Sequence, residues 1–307
     1  TLELLYNGAS FSTPQTKSIA NGAAAKTYTF TVPGSLFNSA THAISARAYD
    51  AAGNIAVSAS SLTLTKDLSA PSSYSASIDQ ASFTSANANA ASFTFSGAEV
   101  DASYSYVFSS TGSGVTKADT GIVSSGDQQI TPIDISTLAD GTITLKVTLT
   151  DLAGNPGTEY TAATRSKDAT PPATPGTPAK MPAYINLAES TGDVIITVAT
   201  SSAAAEAYTL ELLYNGASFS TPQTKSVANG AAAQTYTFTV PGSLFSSATN
   251  AVSARAYDAA GNATYSATSL VLTKDISAPV APGTPAKTRA YINLAESTGD
   301  VIITVAT

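Results

Sequence analysis

The sequence predicts an all-β fold built from tandem sandwich domains, and three observations support this prediction. First, residues 1–71 recur at 209–279 with eleven differences, and residues 175–200 recur at 282–307, so the chain is part of a repeat array. Second, short runs of alternating apolar and polar residues are separated by Gly, Pro, Asn and Asp, which is typical of strands in a sandwich. Third, charged residues make up only 11% of the chain. We therefore expect apolar strand faces buried beneath a surface of small, hydroxyl-bearing side chains.

The repeats divide the chain into two complete and two partial modules. The predicted bounds are a partial domain with strands C to G at 1–71, complete domains at 72–171 and 172–279, and a partial domain with strands A and B at 280–307. Two explanations of these mid-module ends stay open: a window on a longer fibre, or a segment that completes the half-domain of a next molecule by strand addition. In either case each end is expected to need a neighbour, because half a sandwich leaves a core face in water.

About seven strands are predicted for each complete module. In 172–279 they are Ala183–Leu187, Asp193–Thr200, Ala207–Tyr214, Gln234–Val240, Asn250–Tyr257 and Ala263–Lys274, for strands A, B, C, E, F and G. In 72–171 they are Ala91–Ser96, Ser103–Phe108, Gln128–Ile133, Thr142–Thr150 and Glu159–Ser166, for B, C, E, F and G. Asn215-Gly216 predicts a type I′ hairpin turn. Leu138 and Leu244 are expected to close the ends of the two sandwiches.

Composition excludes several classes of function. The net charge of −7 disfavours binding to nucleic acid or to an acidic membrane and is compatible with cation binding. The absence of cysteine excludes disulfides and thiolate metal sites, and no apolar run is long enough to span a bilayer. The only histidine, His42, is Asn250 in the repeat, and we expect it to be exposed at the start of strand F. Nucleophile elbows, phosphate loops and histidine metal motifs do not occur, so no enzymatic activity is predicted.

Three motifs resemble those of bacterial Ig-like tandem repeats in giant surface adhesins of the RTX or biofilm-associated kind. Residues 138–155 read LADGTITLKVTLTDLAGN, residues 166–172 read SKDATPP, and the D-x-A-G-N turn occurs at 50–54, 151–155 and 258–262. The resemblance covers all 307 residues. It implies tandem immunoglobulin-like β-sandwich domains arranged end to end on the bacterial cell surface. Such domains are non-catalytic spacers whose partners are their neighbours in the same chain, while a host or surface ligand binds elsewhere in the parent protein.

The resemblance also implies Ca²⁺ at the domain junctions, where the F–G turn, the B–C loop and the preceding linker meet. The carboxylates implied as ligands are Asp67, Glu99, Asp101 and Asp151 at the first junction, Asp168, Glu206 and Asp258 at the second, and Asp275 at the third. Calcium takes six to eight oxygen ligands and offsets the repulsion of clustered carboxylates. The alternative is that each Asp opening a D-x-A-G-N turn accepts backbone hydrogen bonds and needs no metal.

Further acidic residues and the tyrosines have competing interpretations. Glu189 and Asp193, with their repeats Glu296 and Asp300, are interpreted as solvated turn residues, and extra calcium ligation is the alternative. The tyrosines are interpreted as packing residues, although exposed, coplanar rings would indicate a carbohydrate-binding module. A self-assembling fibre or surface-layer protein is a second alternative to the adhesin spacer. The short, proline-bearing linkers predict stiff joints in every case.

Overall fold

The computed structural model describes residues 1–201, 203–293 and 295–307, and nearly all its regular structure is β-strand. The chain forms two compact units. Unit 1 comprises Thr1–Phe83 and Asn87–Lys167, and unit 2 comprises Thr84–Ala86 and Asp168–Thr307. Within the described ranges, no helix has the length and apolar character needed to cross a bilayer.

The first part of unit 1 is one five-stranded antiparallel sheet with the order β2-β1-β3-β4, in which β5 also pairs with β3. Its strands are β1 (Leu2–Tyr6), β2 (Ala9–Lys17), β3 (Thr41–Tyr49), β4 (Ile55–Val57) and β5 (Leu62–Thr65). A 3-10 turn at Gly34–Leu36 precedes β3. The type I′ turn predicted at Asn215-Gly216 is present, since these residues have φ of 49° and 85°, and its repeat Asn7-Gly8, which follows β1, has φ of 50° and 82°.

The second part of unit 1 is a two-layer sandwich. A six-stranded sheet, β10-β9-β12-β14-β7 with β13 beside β12, packs against a three-stranded sheet, β11-β8-β6. The strands are β6 (Ser75–Ile78), β7 (Ser82–Phe83), β8 (Ala91–Ser96), β9 (Ser103–Ser110), β10 (Ser113–Ile122), β11 (Gln129–Ile133), β12 (Gly141–Thr150), β13 (Tyr160–Thr161) and β14 (Arg165–Lys167). Phe93 of one layer contacts Tyr106 edge-to-face and Phe108 in a tilted arrangement in the other layer, and Phe95 contacts Tyr104 in a tilted arrangement. Leu138 is 1% exposed, as expected for a residue that closes the core.

Unit 2 contains a second sandwich with its own core. A six-stranded sheet, β15-β22-β20-β17-β18 with β21 beside β20, packs against the two-stranded sheet β16-β19. Its elements are β15 (Tyr184–Ile185), α1 (Leu187–Thr191), β16 (Asp193–Ala199), β17 (Tyr208–Tyr214), β18 (Ala217–Val227), β19 (Thr235–Pro241), a 3-10 turn (Gly242–Leu244), β20 (Thr249–Tyr257), β21 (Ala263–Tyr265) and β22 (Leu270–Lys274). The core side chains come from alternate positions of the strands, which is the period of two that the sequence shows.

Three local expectations need correction. The predicted strand G is split in both sandwiches, into β13 and β14 and into β21 and β22, because a loop interrupts each pairing with strand F. The predicted strand A ends at Ile185, and Leu187–Thr191 form a short helix instead. Phe245 is 0% exposed and fills the sandwich end that Leu244 was expected to fill, while Leu244 is only half-buried.

The expectation that His42 is exposed is wrong. His42 lies at the start of β3 with 1% of its surface exposed, packed against the rings of Tyr6 and Phe37 at centroid distances of 5.3 Å. Its Nδ1 lies 2.9 Å from the Tyr6 hydroxyl, and its Nε2 has no hydrogen-bond partner among the described residues. Successive side chains of a strand point to opposite faces, and position 42 lies on the face that is directed to the core. The same holds for Asn250 in the repeat, which is 0% exposed.

Candidate metal centre

Three carboxylates of unit 2 converge on one point. Asp168 follows β14, Glu206 precedes β17, and Asp258 follows β20; one oxygen from each lies within 4.8 Å of the others. Asp258 is buried, and the other two side chains are half-buried. Like charges this close repel one another, and partial burial strengthens the repulsion, so a divalent cation bound between them would relieve it.

The turn that opens with Asp258 is held by its own side chains. The Asn262 backbone N–H donates to Asp258 Oδ1 and the Asn262 Nδ2 donates to Asp258 Oδ2, each over 2.9 Å. Gly261 has a φ of 91°, a left-handed conformation that favours glycine. This explains why glycine occupies the same position in all three turn motifs of this chain. The hydrogen bonds orient the Asp258 carboxylate, and each of its oxygens keeps a lone pair for a further ligand.

Asn262 also joins this turn to the segment that carries Asp168. Its Nδ2 donates to the Asp168 carbonyl oxygen over 2.9 Å, and its Oδ1 accepts from the Ser85 backbone N–H, also over 2.9 Å. The Thr264 hydroxyl donates to the Pro172 carbonyl oxygen over 2.9 Å. Asn262 is 2% exposed, so these bonds are shielded from water. They fix the Asp168 backbone beside Asp258, which explains why the two carboxylates meet.

The role of this asparagine was not predicted from the sequence. A signal was present, since asparagine closes all three D-x-A-G-N turns, as Asn54, Asn155 and Asn262. Asn155 repeats the arrangement in unit 1: its backbone and side chain donate to the two Asp151 oxygens, and its Nδ2 donates to the Asp67 carbonyl oxygen over 3.1 Å. Asn155 and Asn262 therefore each link a turn to a linker residue through a hydrogen bond that requires no metal.

The first predicted set of ligands is not assembled to the same degree. Asp151 is buried, whereas Asp67, Glu99 and Asp101 are exposed. Asp67 Oδ1 accepts from the Ser69 backbone N–H over 2.9 Å in a side-chain turn. Across residues 1–201, 203–293 and 295–307, only Asp168, Glu206 and Asp258 form a group of three acidic or histidine ligands within 4.8 Å.

Asp275, the ligand predicted at the third junction, lies in a similar local turn. Its Oδ1 accepts from the Ser277 backbone N–H over 3.0 Å, and its own N–H donates to the Ile185 carbonyl oxygen. The side chain is exposed. Asp67 forms the same turn with Ser69, so the two linker aspartates have the same local hydrogen bond.

The hydrogen bonds of the turn change the acidity of its aspartate. The Asn155 side chain, helped by backbone N–H groups and opposed by desolvation, lowers the pKa of Asp151 below its ordinary value of 3.8. The equivalent bonds from Asn54 lower the pKa of Asp50 in the same way. A carboxylate that stays ionised to lower pH remains available as a cation ligand.

Two of the four acidic residues considered as extra calcium ligands, Glu189 and Glu296, form local contacts. Glu189 caps helix α1: its side chain accepts from the Asn186 backbone N–H, while Asn186 Oδ1 accepts from the Glu189 N–H. Glu189 also pairs with Lys180 over 3.0 Å, and its repeat Glu296 pairs with Lys287 over 2.8 Å. The structure thus uses both glutamates for local folding.

The three carboxylates of unit 2 fit a hard divalent cation. All three contribute oxygen, which calcium and magnesium prefer, and none of the ligand atoms is nitrogen or sulfur. Calcium takes six to eight oxygen ligands, so backbone carbonyls or water would have to supply those beyond the three carboxylates.

Comparisons with known proteins give structural likenesses. No protein-family model matches the sequence, and no curated protein is significantly similar to it. A Ca²⁺-stabilized adhesin with which an Antarctic bacterium binds ice is similar at 23% identity and a TM-score of 0.38, covering 100% of this chain and 73% of that chain. A bacterial ice-binding adhesin is similar at 21% identity and a TM-score of 0.30, covering 90% and 86%. A tetra-tandem repeat from the extending region of a large adhesion protein is similar at 18% identity and a TM-score of 0.32, covering 87% and 70%.

These similar structures belong to the class of proteins that the repeat motifs resemble. Identities below 25% and TM-scores below 0.5 do not establish a shared function, so any functional conclusion depends on the residues of this chain.

Proposed function

We propose that this chain is a non-catalytic spacer of a large bacterial surface adhesin, located outside the cell, whose immunoglobulin-like domains hold a ligand-binding region away from the cell. The observation that carries the proposal is the fastening of the linker residue Asp168 to the Asp258–Asn262 turn. A linker bound to a turn loses conformational freedom, and its prolines restrict it further. Reduced freedom in the linkers is what a spacer requires.

We further propose that calcium binds at Asp168, Glu206 and Asp258 and adds to this restriction. One oxygen from each side chain already lies within 4.8 Å of the others. The same turn and linker are repeated at the first junction, so we propose a weaker calcium site there, formed by Asp67, Glu99, Asp101 and Asp151 when the ion binds. Asp275 would contribute to a third site. The fastening asparagines hold the linker in the absence of calcium, and the ion adds to their effect.

The absence of catalysis belongs to the same proposal. The residue most often used as a general base, histidine, occurs only as His42, which is enclosed by aromatic rings and replaced by asparagine in the repeat. A repeated module in which the base is dispensable is suited to a mechanical role.

The test is a pair of thermal melts of the whole chain, in millimolar calcium and in excess chelator. Calcium at about 100 times its dissociation constant adds about 2.7 kcal/mol to the free energy of unfolding, which raises Tm by roughly 10 °C for a domain of about 100 residues. Glu206→Gln removes one charged ligand, so the difference in Tm between the two conditions should shrink by at least about half.

Glu159→Gln is the matched control, because Glu159 forms a half-exposed surface pair with Lys146. It should leave the calcium-induced difference in Tm unchanged. The comparison between two conditions cancels any other contact of Glu206. An equal response to calcium in the wild type and in Glu206→Gln would contradict the assigned site, and no response in either would contradict calcium binding.

A further inference from the structure

Strand β19 (Thr235–Pro241) has an open edge. Across the described residues its one strand partner is β16, and the two strands pair over seven consecutive residue pairs without a register shift. Beyond the two ends of this ladder, the Thr200 N–H donates to the Gln234 carbonyl oxygen and the Gly242 N–H donates to the Gly192 carbonyl oxygen. Hydrogen bonds alternate along an antiparallel pair, so the even-numbered residues of β19 bond to β16. The odd-numbered residues direct their backbone groups to the open edge.

Three threonines carry the backbone groups of this edge. Thr235, Thr237 and Thr239 also have exposed side chains, on the outer face of the sheet. No strand of the described chain lies beside this edge, so their N–H and C=O groups are left to solvent. Phe238, which lies between two of them, faces the core and is 2% exposed. Lys225 Nζ lies 5.9 Å from the Phe238 ring centroid, so this ammonium is on the core side of the strand and not on the threonine face.

Three other edge strands of the two sandwiches carry features that oppose pairing with a further strand. β10 has a register shift and the charges of Lys117 and Asp119. β11 has a register shift and contains Pro132, and β18 has a register shift and contains Pro222. Bulges, charges and prolines are means by which proteins block an exposed sheet edge. Residues 235–240 of β19 have none of these features, so this edge can accept another strand.

We propose that β19 pairs with β19 of a second molecule of this chain, antiparallel and centred on Thr237. In this register Thr237 faces Thr237 of the second molecule, and Thr235 faces Thr239 of the second molecule. Every facing residue presents its backbone groups to the other strand, so each pair exchanges two backbone hydrogen bonds. Threonine faces threonine throughout, without a charge or a mismatch in size, and Thr–Thr pairs stabilise neighbouring strands. A strand with the same side chain at three successive edge positions is therefore complementary to itself.

The contact is small and symmetric. Each molecule contributes one strand, so the buried area falls below the roughly 1,000 Å² of a stable interface, and we expect a weak, transient association. The same surface is used by both molecules, so the pairing closes at two molecules. Backbone pairing at a sheet edge supplies the affinity, as it does when an extended peptide adds a strand to a sheet.

The antiparallel register sets the two chains running in opposite directions at the contact. Under the proposed spacer function, on which this consequence rests, the contact would join spacers that extend toward each other from two surfaces. The pairing itself depends only on β19, and it involves neither the carboxylates nor the asparagines of the metal centre. It can therefore be tested separately from calcium binding.

The first experiment is disulfide cross-linking of the whole 307-residue chain, which contains no cysteine of its own. Under a mild oxidant, Thr237→Cys should form a covalent dimer, because facing Cα atoms of a hydrogen-bonded pair lie about 5.5 Å apart, within the range of a disulfide. Thr116→Cys is the matched control, since Thr116 is an exposed threonine on the edge strand β10. At equal concentration, Thr237→Cys should cross-link at least about tenfold faster, because pairing raises the effective concentration of the two thiols.

Two further variants test the direction and register of the pairing. In the antiparallel register, position 235 lies four residues from its own copy, about 13 Å along the strand, and so does position 239. Thr235→Cys alone and Thr239→Cys alone should therefore cross-link no faster than the Thr116→Cys control. Their mixture should cross-link at about the rate of Thr237→Cys, and each product should contain one molecule of each variant. All these side chains are exposed, so the variants should fold.

Three results would overturn the proposal: equal cross-linking of Thr237→Cys and Thr116→Cys, rapid cross-linking of Thr235→Cys with itself, or a mixture that reacts no faster than its components. Sedimentation without a cross-link gives an independent readout. Thr237→Lys places like charges opposite each other and should weaken association at least about threefold, whereas Thr116→Lys should leave it unchanged. A failed calcium response in the thermal melts leaves all these readouts unaffected, so failure of the spacer proposal and failure of this one are distinguishable.

Discussion

At the scale of single residues, the asparagine that closes each turn connects the turn to the linker. The backbone N–H of Asn262 donates to Asp258 Oδ1, and its Nδ2 donates to both Asp258 Oδ2 and the Asp168 carbonyl oxygen. One side chain therefore joins two segments. An aspartate at the same position would bring a fourth negative charge to the cluster and lose the donor. Asparagine therefore serves the acidic environment where aspartate would not.

We expect Asn262→Ala to lower the free energy of unfolding by roughly 1–3 kcal/mol, because it leaves buried acceptors without donors. Urea denaturation of the whole chain, followed by a probe in unit 2, measures the loss. Asn54→Ala is the control: Asn54 makes the same two bonds to Asp50 at an exposed turn, and its removal should cost about 0.5 kcal/mol. Equal losses would show that the link to Asp168 adds nothing.

Acid should weaken the turn of unit 1. Because hydrogen bonds from Asn155 keep the pKa of Asp151 below 3.8 in the folded chain, the unfolded chain takes up this proton first as pH falls. The stabilisation is therefore complete above the ordinary aspartate pKa of about 4 and is lost as pH falls through the folded-state pKa.

The difference in unfolding free energy between the wild type and Asp151→Asn should accordingly be largest at neutral pH and shrink on acidification. Denaturant unfolding at a series of pH values measures this difference, and other carboxylates cancel because they are common to both proteins. A difference that stays constant with pH would mean that Asp151 ionisation does not contribute to stability.

At the scale of elements, helix α1 and the 3-10 turn at Gly242–Leu244 pack against each other. The Gly242 N–H donates to the Gly192 carbonyl oxygen over 2.7 Å, and the space at Gly242 is closed by the Glu189 backbone. The pattern of the sequence did not predict the helix, since five residues are too few to show a helical period. Its capping box, Asn186 with Glu189, is visible in the sequence and was the available signal.

Gly242→Ala should destabilise unit 2 by roughly 2–3 kcal/mol, because the added methyl group forces α1 away from the turn. Gly34→Ala, in an identical local sequence with open surroundings, should change stability by less than about 0.5 kcal/mol. Thermal unfolding of both variants measures the contrast. Similar losses at the two positions would mean that the backbone conformation, not the contact with Glu189, requires glycine.

Two long strands could not be predicted from alternation. β10 and β18 are exposed at most positions on both faces, so apolar residues do not recur with a period of two. They are edge strands whose pairing is made by backbone hydrogen bonds to β9 and β17. Only the turns ahead of them, such as Asn215-Gly216, indicated that a second strand of a hairpin should follow.

At the scale of the whole molecule, the proposed spacer role predicts that calcium extends the particle and narrows its range of conformations. Small-angle scattering in calcium and in chelator measures the maximum dimension, and concentrations low enough to prevent association keep the result specific to one molecule. Glu206→Gln should reduce the change caused by calcium, while Glu159→Gln should not. Identical scattering curves in the two conditions would leave the prolines and the fastening asparagines as the source of stiffness.

The sequence by itself determined the all-β fold, the repeated modules and the turns, because these depend on local properties: apolar alternation, positive φ angles and side-chain capping. The tertiary structure decided which carboxylates converge, since Asp168, Glu206 and Asp258 come from segments far apart in the chain. It also decided that position 42 is buried. The clearest case is TYTFTVP, which is a strand at 235–241 and not at 27–33. A strand's hydrogen bonds belong to two segments, so a sequence specifies a strand only where its partner is present.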